Sequence, residues 1–246
     1  MIVFDTHWES TFEHIVTSHE RRQGHFTSHE LPRGMSAIPY DIRGTRASRA
    51  RSHTRRKGAT TSGSLPCDDP YLPIFYGTIN IWTYLGDPAT AWISVAVNQT
   101  CTTEDFLLFG ELIGTAIAGL DRRVVLLASG GMTHRFFRFR ELRQHEASDP
   151  SRNVISPEAW AADRHVLDML QKGDHAGRDR LDARIPQTRA RGEVRALPDD
   201  GGRDRRLAMP GAREPFSDYE ASVGTGQAHV WFERPGDGWT GKGAAA

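Results

Sequence analysis

Short apolar runs that close on polar or glycine-rich residues alternate along this chain with stripes of helical period. Ile2-Val3-Phe4 runs into Asp5, Thr6 and His7, which predicts a strand with His7 standing at its end. Ile74 to Tyr84 is dense in β-branched and aromatic residues and predicts a strand or buried segment. Ala91 to Val97 alternates as a sheet strand does, with Asn98 to Thr102 as the loop at its end. Thr102 or Thr103 then caps a helix whose first turn carries Glu104 and Asp105 at the positive end of the dipole. Phe106, Phe109, Ile113, Ile117 and Leu120 recur every three or four residues and predict its core stripe.

Val124 to Ala128 is too short for a helix and ends at Ser129-Gly130-Gly131, so it predicts a buried strand entering a turn. Glycines there can take positive φ and carry no Cβ, so the turn delivers His134 to the carboxyl edge of a sheet, where open α/β sheets place their ligands. Ser156-Pro157-Glu158 reads as a capped helix start. Trp160, Val166, Leu167 and Leu170 form its inner face, Gly173 ends it, and the helix is expected to pack on the sheet and order one wall of a site. His229 to Phe232 is a last strand signal, while Gly224 and Gly226 predict a close approach to the pocket.

Two composition breaks interrupt this pattern. Thr45 to Ser64 is rich in arginine and has no large apolar residue, so it contributes nothing to a core. It reads as a basic arm or a solvated linker. Gly177 to about Glu214 is charged, aperiodic and broken by Pro186 and Pro198, a loop of unusual length for a compact domain. The expected organisation is one domain over 1–235 with irregular tracts at 44–66 and 177–214, then a flexible Gly/Ala tail at 236–246.

The 246 residues suffice for one α/β domain with a sizeable core. Its 31 basic and 31 acidic residues cancel, so no overall field calls for nucleic acid or an anionic membrane. The basic tract also lacks the interleaved aromatics of a single-strand binder. No apolar run approaches the roughly 20 residues of a membrane span. Two cysteines, Cys67 and Cys101, make no disulfide framework, and the start has no leader pattern, so a reducing cytoplasm is expected.

His7 and His134 are the candidate chemistry. Each has an ordinary reading: His134 as a loop histidine, His7 as a strand-end histidine paired with Asp5 or Trp8. His14, His19, His25 and His29 lie among polar residues without the spacing of a zinc helix, and are expected at the surface or on a pocket rim.

Five motifs, in order, give the pair a context: I-V-F-D-T-H-W at Ile2 to Trp8, F-T-S-H-E-L-P at Phe26 to Pro32, P-Y-D-I at Pro39 to Ile42, A-S-G-G-M-T-H-R-F at Ala128 to Phe136 and V-G-T-G-Q at Val223 to Gln227. Together they resemble the LigB-type (class III) extradiol ring-cleavage dioxygenases over most of residues 1–43, 68–175 and 215–235. The resemblance implies a central mixed sheet flanked by helices, Fe(II) as cofactor, and a catechol-type diol and O2 as substrates, in an enzyme that is often oligomeric. By motif, His7 corresponds to a ligand histidine and His134 to the acid–base residue beside the metal. The family's first ligand histidine and its ligand Glu are not matched, and the chain reads as truncated at its start. Glu193 sits in surroundings that do not match, so the Glu role is not transferred to it. Codons permitted for Gly44 to Arg49 and for Ala190 to Gly201 give family-like G-D-P-S-L-A and P-E-A-R-F-G-H-Y-L-M-M-V in a shifted frame, so both tracts are expected to be frame-shifted coding sequence. The resemblance thus implies a dioxygenase with impaired activity; the alternatives are a non-catalytic binding protein or inactive fragment of the same fold, or a basic nucleic-acid-binding protein.

Overall fold

In the computed structural model, residues 1–45, 64–134, 137–144, 156–173, 213–215, 217–222 and 225–233 are described. The tail, Glu193 and nearly all of both composition breaks lie outside them. The chain divides into two compact units, one holding the described residues up to Gly130 and the other those from Gly131 onward.

The first unit runs β1 (Ile2–Ser10), β2 (His14–Thr17), β3 (Arg21–Phe26), β4 (Ile38–Arg43), β5 (Ser64–Cys67), α1 (Tyr76–Leu85), β6 (Ile93–Asn98), α2 (Thr103–Ala118) and β7 (Leu126–Ser129). Five strands form one mixed sheet in the order β5-β2-β6-β1-β7. β1 lies parallel to both β6 and β7, β2 is parallel to β5, and β2 meets β6 antiparallel. β3 and β4 pair as a separate antiparallel ribbon.

Successive side chains of a strand face opposite ways, and β1 uses both faces. Val3, fully buried, packs in a cluster with Ile79 of α1, Ile42, Phe26, Ile74 and Trp92. Phe4 packs instead with Val95 of β6 and Phe109 of α2, joined by Ile113. A sheet covered on both faces is the expected α/β arrangement.

Three local expectations change. The segment from Ile74 to Tyr84, expected as a strand or buried segment, is mostly helix α1, with Gly77, Thr78 and Ile79 buried. On α2 only Phe109 of the expected stripe is buried, while Leu120 is 53% exposed beyond the helix end. The strand expected to be buried at Val124 to Ala128 is the sheet-edge strand β7, and its side chains are exposed or half-buried.

The second unit contains a short 3₁₀ turn (Leu142–Gln144), α3 (Pro157–Lys172), and the short strands β8 (Arg213–Pro215), β9 (Glu220–Ser222), β10 (Thr225–Gln227) and β11 (Val230–Phe232). β9 pairs with β10 and β8 with β11, both antiparallel. The Ser156 side chain caps α3 on the amide of Ala159, Pro157 occupies the first turn, and Gly173 closes the helix at φ 74° in the left-handed region. Among the described residues no helix is long and apolar enough to cross a membrane.

Candidate active site

His7 was expected at a strand end and lies instead inside β1, on a bulge. From Ile2 to Asp5 the strand pairs with Ile93 to Ala96 residue for residue, but Glu9 is opposite Val97, so Thr6, His7 and Trp8 are extra to the ladder. The bulge is held from below. Asp5 is fully buried, and its carboxylate accepts the His7 amide at 3.0 Å and the Thr78 amide and hydroxyl at 2.6 and 2.7 Å. The Thr78 hydroxyl lies 2.9 Å from that of Ser94, which accepts a bond from buried Arg22 at 2.9 Å. Burial holds the Arg22 guanidinium below its usual range, opposed by Tyr40, Asp5 and Cys67, yet it remains a cation at any physiological pH.

Around the bulge, Thr6 donates its hydroxyl to the Ser129 carbonyl at 2.8 Å, tying β1 to the end of β7. A Cβ on Gly130 would stand 2.9 Å from the Thr6 methyl, so the turn admits only glycine at this spacing without a shift. The His7 ring lies 4.7 Å from the ring of Tyr76, at the start of α1, and its Nδ1 is 3.5 Å from the Thr6 hydroxyl. Trp8 stacks on Phe75 at 5.4 Å.

His134 belongs to the second unit, and each histidine is described in its own unit. His134 forms an isolated antiparallel bridge with Thr225 of β10. The two residues before it are bonded to β10 and α3. Met132 donates its amide to the Gly226 carbonyl at 2.7 Å, and Gly226 returns its own amide to the Thr133 carbonyl at 2.9 Å. Thr133 donates its amide and hydroxyl to the Asp163 carboxylate at 2.9 and 2.7 Å, and the Tyr219 hydroxyl joins the same carboxylate at 2.7 Å. Gly131 and Gly226 serve this packing by close approach: a Cβ on Gly131 would run into the Thr225 methyl, and one on Gly226 into Asp163 and Tyr219. Positive φ, expected of the glycines at 130–131, is found among the described glycines only at Gly173.

Asp163 escaped the sequence reading although a signal was there. It precedes Leu167 by four residues and Leu170 by seven, so a lone carboxylate sits on the buried stripe of α3. Burial of such a group demands partners. Trp160, placed on that inner face by the sequence, is 47% exposed, with the Arg164 guanidinium 5.8 Å from its ring centre.

His14 is a correction of another kind. Expected at the surface or a pocket rim, it is 3% exposed, lies flat on Phe109 at 3.8 Å and places Nε2 at 3.5 Å from the Cys101 sulfur. Burial pulls its pKa down to about 4, against the opposing pull of Asp105, so it is a neutral core imidazole. His25 and His29 are exposed, and half-buried His19 bonds through Nε2 to the Asp69 carbonyl at 2.7 Å.

A family model described as the catalytic LigB subunit of aromatic ring-opening dioxygenase matches residues 1–198. The chain belongs to this family. It is 28% identical over 152 residues to the 3,4-dihydroxyphenylacetate 2,3-dioxygenase of Escherichia coli, covering 55% of this chain and 50% of that protein, so it spans about half the length of this curated relative. In fold it is similar to an uncharacterized protein of Escherichia coli K12 known from its crystal structure, with a TM-score of 0.53 at 12% identity over 93% of this chain and 84% of the other.

A ferrous centre of the kind the LigB resemblance implies needs two imidazoles and a carboxylate on one face of the metal. Among the described residues no group of three or more His, Cys, Asp or Glu side chains is placed to hold a metal ion. His7 has a hydroxyl and a phenol ring beside it, and both oxygens of Asp5 are committed to the bulge and to Thr78. The described residues therefore do not fit a complete iron site. The second unit has a hollow of about 710 Å³ lined by Arg164, Leu167, Asp168 and Gln171 of α3 with Ser217 to Tyr219 and Ala228. His134 is not in its lining, so the hollow is not assigned to the family's chemistry.

Proposed function

We propose that this LigB-family chain is an extradiol dioxygenase by descent, built for a catechol-type ring and O2 with Fe(II) as cofactor and a muconic semialdehyde as product, and that ring opening by this polypeptide is impaired. The observation that carries the reading is the family match over residues 1–198, which contains both I-V-F-D-T-H-W and A-S-G-G-M-T-H. The curated relative favours a catechol bearing a side chain, as 3,4-dihydroxyphenylacetate does. In this reading His7 is a metal ligand and His134 the acid–base residue. An imidazole ordinarily titrates near pH 6.5 (about half a unit from neutrality), so it can take a proton from a ring hydroxyl and return one later in the same turnover.

Impairment follows from the ligand set. The family's Glu motif has no counterpart in the chain, and a lone imidazole holds labile iron(II) poorly, since even outer partners of a ligand are worth about 10- to 100-fold in metal affinity. The protein is expected to work in a reducing cytoplasm, where both free cysteines, Cys67 and Cys101, are stable. The test is anaerobic loading with Fe(II), then 3,4-dihydroxyphenylacetate or catechol with O2, following the yellow ring-fission product. Weak or undetectable turnover is expected. Robust turnover by the chain as written would overturn the impairment, and diol binding without any product would favour a non-catalytic binding protein of the same fold.

A further inference from the structure

We propose that Asp163 is a positioning residue for His134, acting through Thr133 and sharing that task with Tyr219 and the backbone of Gly226. The proposal rests on the reading of His134 as the acid–base residue.

A carboxylate on the inner stripe of a helix is costly. Asp163 is 2% exposed, and its three described donors are an amide and two hydroxyls. An apolar residue of similar volume would cover the same face of α3 without that desolvation. What the carboxylate provides is direction. One oxygen accepts the Thr133 amide and the other the Thr133 hydroxyl, so a single residue is gripped at both its backbone and its side chain. The Met132 amide and the Thr133 carbonyl are taken by Gly226, which accepts from the one and donates to the other.

The next residue along is His134, itself bridged to Thr225. The backbone entering the imidazole is therefore held by bonds from Asp163 of α3 and Gly226 of β10, with both backbone polar groups of Thr133 taken. Tyr219 completes the clamp. Its phenol is pushed well above the usual range, first by burial and then by its bond to Asp163, so it stays a hydrogen-bond donor to the carboxylate across the working pH range. The absence of a Cβ at Gly226 lets the strand come close enough for all of this, since a side chain there would displace the carboxylate. An acid–base group must stay within a fraction of an ångström of its proton partner, and a rigid support for its backbone is how a fold secures that.

The test is the side-chain NMR spectrum of the full chain, with the His134 Hε1–Cε1 cross-peak assigned by its loss in His134→Gln. Wild type is expected to give one sharp His134 cross-peak. Asp163→Asn and Thr133→Val, each checked for folding by circular dichroism, are expected to shift and broaden or split it, and Thr133→Ser, which keeps the hydroxyl, is expected to restore it. The His7 and His14 cross-peaks, from the first unit, should stay in place. A purely structural role would lower the melting temperature of both variants while leaving the His134 cross-peak of the folded protein unchanged, and that result overturns the proposal. If Asp163→Asn does not fold, the Thr133→Val and Thr133→Ser pair decides on the same criterion. Titration of wild type with 3,4-dihydroxyphenylacetate separates the two claims: failure of the diol to move the His134 cross-peak would count against the dioxygenase reading and not against the clamp.

Discussion

The carboxylate of Asp5 accepts the backbone N–H of His7 two residues ahead at 3.0 Å, while its other oxygen binds the amide and hydroxyl of Thr78 at 2.6 and 2.7 Å. One buried side chain thus shapes the bulge that lifts His7 off the ladder and fastens it to the first turns of α1. Truncation would strand three donors, two of them the amide and hydroxyl of fully buried Thr78. Asp5→Ala is expected to cost about 2–4 kcal/mol, with Asp5→Asn milder because its amide oxygen still accepts. Urea denaturation followed by circular dichroism measures both; a loss below about 0.5 kcal/mol for the alanine variant would show that the bulge does not depend on this carboxylate.

Two glycines in different surroundings separate close approach from mere backbone freedom. A Cβ on Gly131 collides with the Thr225 methyl, whereas one on Gly114, inside α2, meets nothing within 4 Å. Gly131→Ala is expected to destabilise by about 1–3 kcal/mol through overpacking. Gly114→Ala should instead stabilise by about 0.5–1 kcal/mol, because alanine restricts the unfolded chain and favours the helix. Paired melting curves decide it, and equal shifts in the two variants would contradict the packing around Thr225.

How far the sequence carried the fold depends on whether the cause was local. The start of α2 and both ends of α3 were legible because caps are local chemistry: Thr102, Ser156 and Gly173 do their work within four residues of themselves. The strands β1, β6 and β7 were legible from short apolar runs. α1 was not, because its Ile, Thr, Tyr and Trp residues carry a strand's composition whichever structure they adopt, and the burial of Gly77, Thr78 and Ile79 against the sheet is decided by tertiary packing. His14 was misplaced for the same reason. Its sequence neighbours Glu13 and Thr17 are polar, while the ring it lies on, Phe109, is distant in the chain. Of the candidate site residues, the two histidine-bearing segments were visible as motifs, but the supports under each were not, since Thr78 and Asp163 reach their partners only after folding.

The start of α2 offers a second stability test. The Thr102 hydroxyl accepts the Asp105 amide while the Asp105 carboxylate accepts the Thr102 amide at 2.8 Å, a reciprocal capping box. Thr102→Ala should cost about 1 kcal/mol, and Thr102→Ser much less, because serine keeps the acceptor. Since Asp105 also bonds the Thr102 hydroxyl at 2.8 Å, Asp105→Asn is expected to weaken the same box. A double variant, Thr102→Ala with Asp105→Asn, should lose less than the two single losses added together, because both remove one shared interaction. Strict additivity in urea denaturation would show that the two caps act separately.

The stacked imidazole of His14 predicts a pH dependence with a definite sign. Burial lowers its folded pKa to about 4, whereas an unfolded imidazole titrates near 6.5. Above about pH 6.5 both states are neutral and the group costs nothing. As pH falls below that value the unfolded chain takes up a proton that the folded protein refuses, so stability declines until about pH 4, where the folded imidazole protonates too and the decline from this group stops. The full loss is about 3 kcal/mol, from about 1.4 kcal/mol per unit of difference. His14→Phe keeps an aromatic ring against Phe109 and cannot take a proton, so it should flatten this part of the profile while leaving stability at about pH 7 within about 1.5 kcal/mol of wild type. Urea denaturation of both proteins at about pH 7 and pH 4.5 measures the difference; an equally steep decline in His14→Phe would place the responsible proton elsewhere.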